Sequence, residues 1–336
     1  MNIKHFSVLI IAFTAVSCLN KSNQPLLPAA SGAPGDVLVV MNNSKWESAP
    51  GEAVRNVLSL PMEAIPQDEP KYDIINIQHH AFSNLFKKQR SILVTKIGKD
   101  QSEVKSLVQK NMWAKGQIII TVVAPSDSAF IEYIENNAVK IISLLDNMER
   151  HRLMKAFESS SEATLIDKII KKHNIKIIVP KGYKLGEDKN GFIWLTHAYR
   201  DIIQGILIYY YPYTDTNTFT RDYLVARRDK ILKQNVPGDI EGSYMQTELL
   251  FPPIMSEYKL NNKIYTAELR GLWRMENGLA MGGPFISITQ LDEKRNRVVT
   301  AEGFVYAPAH KKRDLLRQVE AIILSMEFTD NQSNEK

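Results

Sequence analysis

The charged residues that could carry chemistry cluster near the C-terminal end. Along a strand starting at Ile264, alternation puts Thr266, Glu268, Arg270 and Arg274 on one face and Tyr265, Leu269 and Trp273 on the other. Glu302, in a second strand from Val298 to Tyr306, is expected beside Glu268 and Arg270. Two carboxylates at the base of a pocket could hydrolyse a glycoside if they stood about 5–5.5 Å or 6.5–9.5 Å apart. On an open sheet face the same residues would form ordinary cross-strand ion pairs, since antiparallel sheets often keep one wet face. Gly271, Gly282, Gly283 and Gly303 would let a backbone or a ligand approach closely. A flat, exposed row favours binding over hydrolysis, and Arg270→Ala should then cost little stability.

Lys311, Lys312 and Arg313 raise a second question. They fall in the first turn of the closing helix, where the macrodipole favours negative charge and each cation costs about 0.3–1 kcal/mol. Asp314 offsets only part of this. Either the long side chains swing into water, or a partner's acidic surface meets them. Other basic clusters are Lys87-Lys88-Arg90, Lys168-Lys171-Lys172 and Arg227-Arg228-Lys230-Lys233. Such runs read as solvated helix faces, with anionic lipid head groups or an acidic partner as targets. No nucleic-acid partner is expected.

No HExxH, GxSxG, GxGxxG or P-loop pattern occurs, so no metal or nucleotide cofactor is expected. Ser102-Glu103-Val104-Lys105 and Ser256-Glu257-Tyr258-Lys259 match S-x-x-K, but neither S-D-N nor K-T-G accompanies them. His79-His80 could ligate one metal only across a bend, because adjacent strand residues point to opposite faces. His197, near Trp194, reads as a partly buried hydrogen-bonding group.

The N-terminus carries a different chemistry. Lys4 and His5 precede an apolar run from Phe6 to Val16, too short for a membrane-spanning helix but right for an export signal over residues 1–17. Ala15-Val16-Ser17-Cys18 resembles a bacterial lipobox, although the ideal has Leu in place of Ala15. Cys18 is the only cysteine, so no disulfide can form in the monomer, and thioether lipidation accounts for the odd thiol. Loss of Lys4 with the signal lowers the net charge from +5 to +4. Leu19 follows the cysteine, whereas an Asp there would resemble an inner-membrane retention signal. No acidic run resembling a surface-export signal follows either. The expected location is the periplasmic face of the outer membrane, held by the lipid.

Residues 18–35 are rich in Pro, Ser, Ala and Gly and read as a flexible tether with an r.m.s. reach of roughly 20–25 Å. The sequence as a whole is 44% hydrophobic and 24% charged, a globular composition, and the residues beyond the tether are enough for two modest cores. Residues 36–158 alternate buried strands (Val37 to Met41, Tyr72 to Gln78, Ser91 to Ile97, Ile118 to Val123) with helices, as in an α/β unit. One of those helices carries Phe130, Ile134, Ala138, Ile141, Leu145 and Met148 at helical spacing. Ser159 and Glu162 suggest a capping box at the boundary. Residues 159–328 read as an α+β sandwich: strands Ile175 to Val179, Phe192 to His197, Ile203 to Tyr210, Ile264 to Trp273, Phe285 to Thr289 and Arg297 to Tyr306. A helix runs from about Phe219 to Leu232 and a closing one carries Leu315, Val319, Ile322 and Met326. Residues 329–336 read as a disordered tail.

The Pro180-Lys181-Gly182-Tyr183 turn after a strand, with its hairpin, crossing helix and closing helix, resembles the Mog1/PsbP-type α/β/α sandwich. Glu268-Leu269-Arg270-Gly271-Leu272-Trp273, Met281-Gly282-Gly283-Pro284-Phe285 and Glu302-Gly303-Phe304-Val305-Tyr306-Ala307-Pro308 together resemble an uncharacterised lipoprotein family of Bacteroidota, domain of unknown function 4837. That likeness extends toward Trp113-Ala114 and implies a lipoprotein without supplying an activity. The expected molecule is a lipid-anchored, non-catalytic envelope module that binds a protein or glycan through Glu268, Arg270, Trp273, Arg274, Glu302, Lys311, Lys312 and Arg313. A hydrolase using Glu268 and Glu302 is the alternative.

Overall fold

A computed structural model describes residues 27–330 apart from position 262. The export signal, Cys18, the start of the tether, Asn262 of the expected Asn261-Asn262 turn, and residues 331–336 lie outside the described residues.

The first unit is built on apolar runs that are buried on both faces, as a largely parallel sheet requires. Its elements are β1 (Asp36–Val40), α1 (Asn43–Trp46), α2 (Ala49–Leu58), β2 (Asp73–Ile77), β3 (Ser91–Ile97), β4 (Lys105–Lys110), β5 (Ile118–Ala124), α3 (Asp127–Asn136) and α4 (Ala138–Ser159). The strand order is β2-β1-β3-β5-β4, parallel except for the edge strand β4. Val37, Val39, Leu93, Ile118 and Ile120 face α2, α3 and α4, while Leu38, Val40, Ile92 and Ile119 face Phe82, Phe86 and Trp113. The single helix expected from Phe130 to Met148 is two helices that break at Asn137. Strand β4 escaped the pattern because nearly all its side chains are exposed and so carry no apolar alternation.

The second unit comprises α5 (Ala163–His173), β6 (Ile175–Lys176), β7 (Lys184–Lys189), β8 (Phe192–Tyr199), β9 (Ile202–Pro212), α6 (Arg221–Asn235), β10 (Tyr244–Thr247), β11 (Ile254–Leu260), β12 (Ile264–Glu276), β13 (Gly282–Asp292), β14 (Arg297–Tyr306), α7 (Arg313–Ile323) and β15 (Glu327–Phe328). Its antiparallel sheet runs β10-β12-β13-β14-β9-β8-β7, with β11 also on β12. One face packs Ile206, Ile286, Ile288 and Val299 against Leu316, Val319 and Ile322 of α7. The other packs Leu207, Leu269, Phe285 and Phe304 against Leu224 and Leu232 of α6. This is the expected mixed α/β architecture with an α/β/α sandwich in the C-terminal half. The strand expected over Ile175 to Val179 is only the two-residue β6, paired with β15 outside the main sheet. Ser159 ends α4, and α5 starts after Glu162 without any side-chain cap, so the expected capping box does not form.

The expected tether is not free along its whole length. The Pro28 carbonyl accepts from the Lys115 N–H, Ala30 N–H donates to the Lys115 carbonyl, and Ser31 exchanges backbone bonds with Lys88 and Arg90. Backbone pairing leaves no side-chain periodicity, which is why composition alone misread residues 28–31. At the other end, the Thr329 N–H donates to the Asn174 carbonyl and Asp330 pairs with Lys294, so the expected tail is held at its first two residues. Among the described residues no helix is long and apolar enough to cross a membrane.

Candidate functional site

Strand register decides which charged groups meet. Glu268 lies opposite Ile288 and Arg270 opposite Ile286, so both share the face that packs on α7. Arg270 Nε donates to Glu268 at 2.6 Å, and Nη2 donates to Glu320 of α7 at 2.8 Å. Arg150 of α4 reaches the same Glu320 oxygen at 3.2 Å, and the Tyr258 hydroxyl donates to Glu268 at 2.9 Å. Burial alone would raise the Glu320 carboxyl, but Arg270 and Arg150 outweigh it and hold it down to about 2. The row is therefore not the open sheet face the sequence suggested. The helices α4 and α7 roof it into a polar cleft of about 160 Å³ between the two units, whose walls include Lys71, Asp146, Arg150, Arg270 and Arg317. Of the charged residues in the row on this face, only Arg274 escapes the roof; it is half-buried and pairs with Glu276 at 2.6 Å.

Glu302 is on the other side of the sheet. It pairs in register with Ser287, which pairs with Leu269, so it shares the α6 face. There it is fully buried in a two-pronged pair with Arg228 of α6, at 2.8 and 2.7 Å. Arg228 also donates to Thr247 at 2.8 Å and lies over the Phe285 ring. Burial would lower the Arg228 pKa, but the Glu302 charge outweighs it and keeps the guanidinium protonated. The expected Glu268/Glu302 pair thus does not assemble: the sheet separates the two carboxylates, and each already has its own arginine.

The basic start of α7 is met from within the chain. Glu69, in the loop before β2, accepts the N–H of Lys312 at 2.7 Å and of Arg313 at 3.0 Å. A carboxylate on the first free N–H groups is what a helix N-terminus favours, and it answers the unfavourable cations there. Lys312 Nζ donates to Gln67 at 2.7 Å, and Arg313 pairs with Asp73 at 2.8 Å and Asp314 at 2.9 Å. Burial would lower the Arg313 pKa, but these two acids outweigh it and raise it. Arg317 continues the seam, pairing with Asp146 and lying over the Tyr72 ring, whose hydroxyl also donates to Asp146. Of the three basic residues expected at a partner surface, only Lys311 is exposed; Lys312 and Arg313 are buried in the joint.

Trp273 is also internal, 2% exposed, with Nε1 donating to the Val305 carbonyl at 3.2 Å. It forms the floor of a mostly apolar cavity of about 190 Å³ walled by Trp194, Met245, Met281 and Tyr306. His197 stacks on Tyr183. His79 and His80 sit in a short 3-10 turn, and the described residues hold no group of three metal-ligating side chains. What sequence reasoning missed is the loop between β10 and β11. Leu249, Leu250 and Phe251 stand 60%, 84% and 65% exposed, followed by Pro252, Pro253 and a half-exposed Ile254. The signal was an apolar run carrying two prolines, which cannot be an inner strand.

Residues 162–325 match the model of a domain of unknown function, DUF4837, and residues 30–158 match a second one, DUF8532. All three motifs that carried the resemblance lie in the first match. Trp113-Ala114 falls in the second, so the DUF4837 likeness does not run back through the first unit as expected. No curated protein matches the chain. Solved structures similar to it include LpqN, involved in cell envelope biogenesis of Mycobacterium tuberculosis, at 15% identity and TM-score 0.29, covering 46% of this chain and 83% of that one. Another is a point mutant of the protein Mog1, at 11% identity and TM-score 0.31, covering 47% and 92%. Likenesses this slight carry no argument about activity. The two halves of the chain are therefore each similar to a domain of unknown function, residues 30–158 to DUF8532 and residues 162–325 to DUF4837.

Proposed function

We propose that the chain is a non-catalytic binding module of the cell envelope, held by a lipid on Cys18 at the periplasmic face of the outer membrane. The observation that carries the non-catalytic part is the fate of the two candidate carboxylates. Glu268 and Glu302 lie on opposite faces of one sheet, and each is neutralised by an arginine. Acid–base hydrolysis needs two carboxylates facing one bond. A turnover screen with glycan and peptide libraries is expected to be blank, and turnover that disappears in Glu268→Gln or Glu302→Gln would restore the hydrolase.

With Glu268, Arg270, Lys312 and Arg313 engaged inside the molecule, capture of an envelope protein falls to what remains exposed. The best-suited surface is the loop at Leu249, Leu250 and Phe251, since large apolar side chains gathered in solvent mark contact sites. The anchor has its own test. Cys18→Ser should abolish metabolic labelling with a fatty acid, and protease added to intact cells should spare the wild-type chain until the outer membrane is opened. A Cys18→Ser protein that still labels, or digestion of the wild type on intact cells, would overturn the location.

A further inference from the structure

A groove of about 690 Å³ runs along the outer side of α4 in the first unit, away from the charged seam. Its walls carry Lys110, Lys115, His151, Arg152 and Lys155, and Leu144 and Met148 give it an apolar floor. No carboxylate lines it. Arg152 is occupied: it donates to the Gly116 carbonyl at 2.6 Å and pairs with the buried Glu149. Lys110, Lys115 and Lys155 are exposed and make no ion pair among the described residues, unlike the arginines of the seam. Three unpaired ammonium groups around one apolar-floored groove form a concentrated positive field that no carboxylate lining it among the described residues answers.

The path of the chain tells which anion is near. Lys115 is both a wall of the groove and the backbone partner of the N-terminal segment, bonded to Pro28 and Ala30. The described chain therefore begins beside the groove. Only eight residues, 19–26, separate Cys18 from the described chain, a span of at most about 30 Å when fully extended. A lipid on Cys18 would hold this flank of the molecule, rather than a random one, close to the bilayer.

We infer that the groove formed by Lys110, Lys115, Lys155 and the outer side of α4 receives the phosphate of an anionic phospholipid headgroup in the membrane that carries the anchor. The lysines meet the phosphate, and Leu144 and Met148 meet the glycerol and upper acyl carbons. The inference rests on the anchor reading for the choice of membrane over free solute. It also goes beyond that reading, because it gives the body a second, oriented contact with the bilayer.

The test uses the chain from residue 19 onward without its lipid, which keeps every described residue. Binding is measured to phosphatidylcholine vesicles with and without phosphatidylglycerol, alongside glycerol 3-phosphate in solution. Binding is expected only with phosphatidylglycerol and should weaken as salt rises. Each lysine near an anionic surface is worth about fivefold, so Lys110→Gln/Lys115→Gln/Lys155→Gln should weaken binding on the order of a hundredfold. A control triple of exposed lysines on the second unit, Lys181→Gln/Lys184→Gln/Lys230→Gln, removes the same charge and should retain most of the binding. Equal losses from both triples, or none from the first, would overturn the groove. Glycerol 3-phosphate that binds the groove as well as vesicles do would replace the membrane with a soluble phosphate and overturn the proposal as stated. Failure of the anchor appears separately, as absent fatty-acid labelling of Cys18 beside intact vesicle binding.

Discussion

Arg270 is the residue whose replacement separates a solvated sheet face from a buried joint. Its side chain is 14% exposed and bridges Glu268 and Glu320, which are 8% and 10% exposed. Removing one member of a buried ionic network typically costs about 3–5 kcal/mol, because the partners remain buried with their charge. Arg150 still reaches Glu320 at 3.2 Å and is itself 28% exposed, so it offsets part of the loss. The expected cost of Arg270→Ala at neutral pH is about 2–4 kcal/mol, a fall of roughly 5–10 °C in the unfolding midpoint. The pH dependence has a definite sign. Glu320 is held at about 2 in the folded chain, below its unfolded value, so its contribution is fully present above pH ~4.3 and disappears as pH falls toward 2. That depression corresponds to about 3 kcal/mol at neutral pH, most of it supplied with Arg270. Denaturant unfolding of the wild type and Arg270→Ala should differ most at pH 7 and converge between pH 4 and 2. Arg270→Lys should recover only part of the loss, since one ammonium cannot span both carboxylates as a guanidinium fork does. Equal stability at pH 7, or a difference that does not change with pH, would refute the buried-joint reasoning.

Glu69→Gln keeps the shape of the cap but removes its charge from the α7 N-terminus and from beside Arg313, and should cost about 1–2 kcal/mol in denaturant unfolding. Limited proteolysis should also speed up in the loops that meet at the seam; a neutral result would mean that the two units do not depend on this contact. Glu302→Gln leaves Arg228 charged and fully buried and should cost about 3–5 kcal/mol, more than Glu69→Gln. Unfolding curves that place Glu302→Gln within 1 kcal/mol of wild type, a threshold of about one surface ion pair, would show that the α6 pair is open to solvent.

What local periodicity can encode was readable. Unbroken runs such as Val37 to Met41 announced strands buried on both faces, and the alternation in β12 put Glu268 and Arg270 on one face and Leu269 and Trp273 on the other, as found. The apolar stripe of α7 was equally legible, because helix and strand periods are properties of a few neighbouring residues. Glu302 was misplaced for a different reason. Its face depends on how β14 registers against β13, and a one-residue difference in register moves every side chain to the other side of the sheet. The Glu69 cap spans 243 residues in sequence to Lys312, a pairing that no local pattern announces. The unfavourable cations of α7 were nevertheless a visible clue that some carboxylate had to meet that helix end. The strands β4 and β11 lie at sheet edges with largely exposed side chains, so they lacked the apolar signature that marks inner strands.

The measurement that bears most directly on the binding-module account is site-specific photo-crosslinking in cells, with the probe placed in turn at Leu250 and at Arg274, followed by mass spectrometry of the adducts. Leu250 is 84% exposed at the tip of the apolar loop, whereas Arg274 is the one member of the charged row that reaches solvent. The account predicts that Leu250 captures one identified envelope protein, that Phe251→Asp abolishes this adduct without lowering the unfolding midpoint, and that Arg274 captures none. An adduct formed only from Arg274, or capture at Leu250 that survives Phe251→Asp, would contradict it.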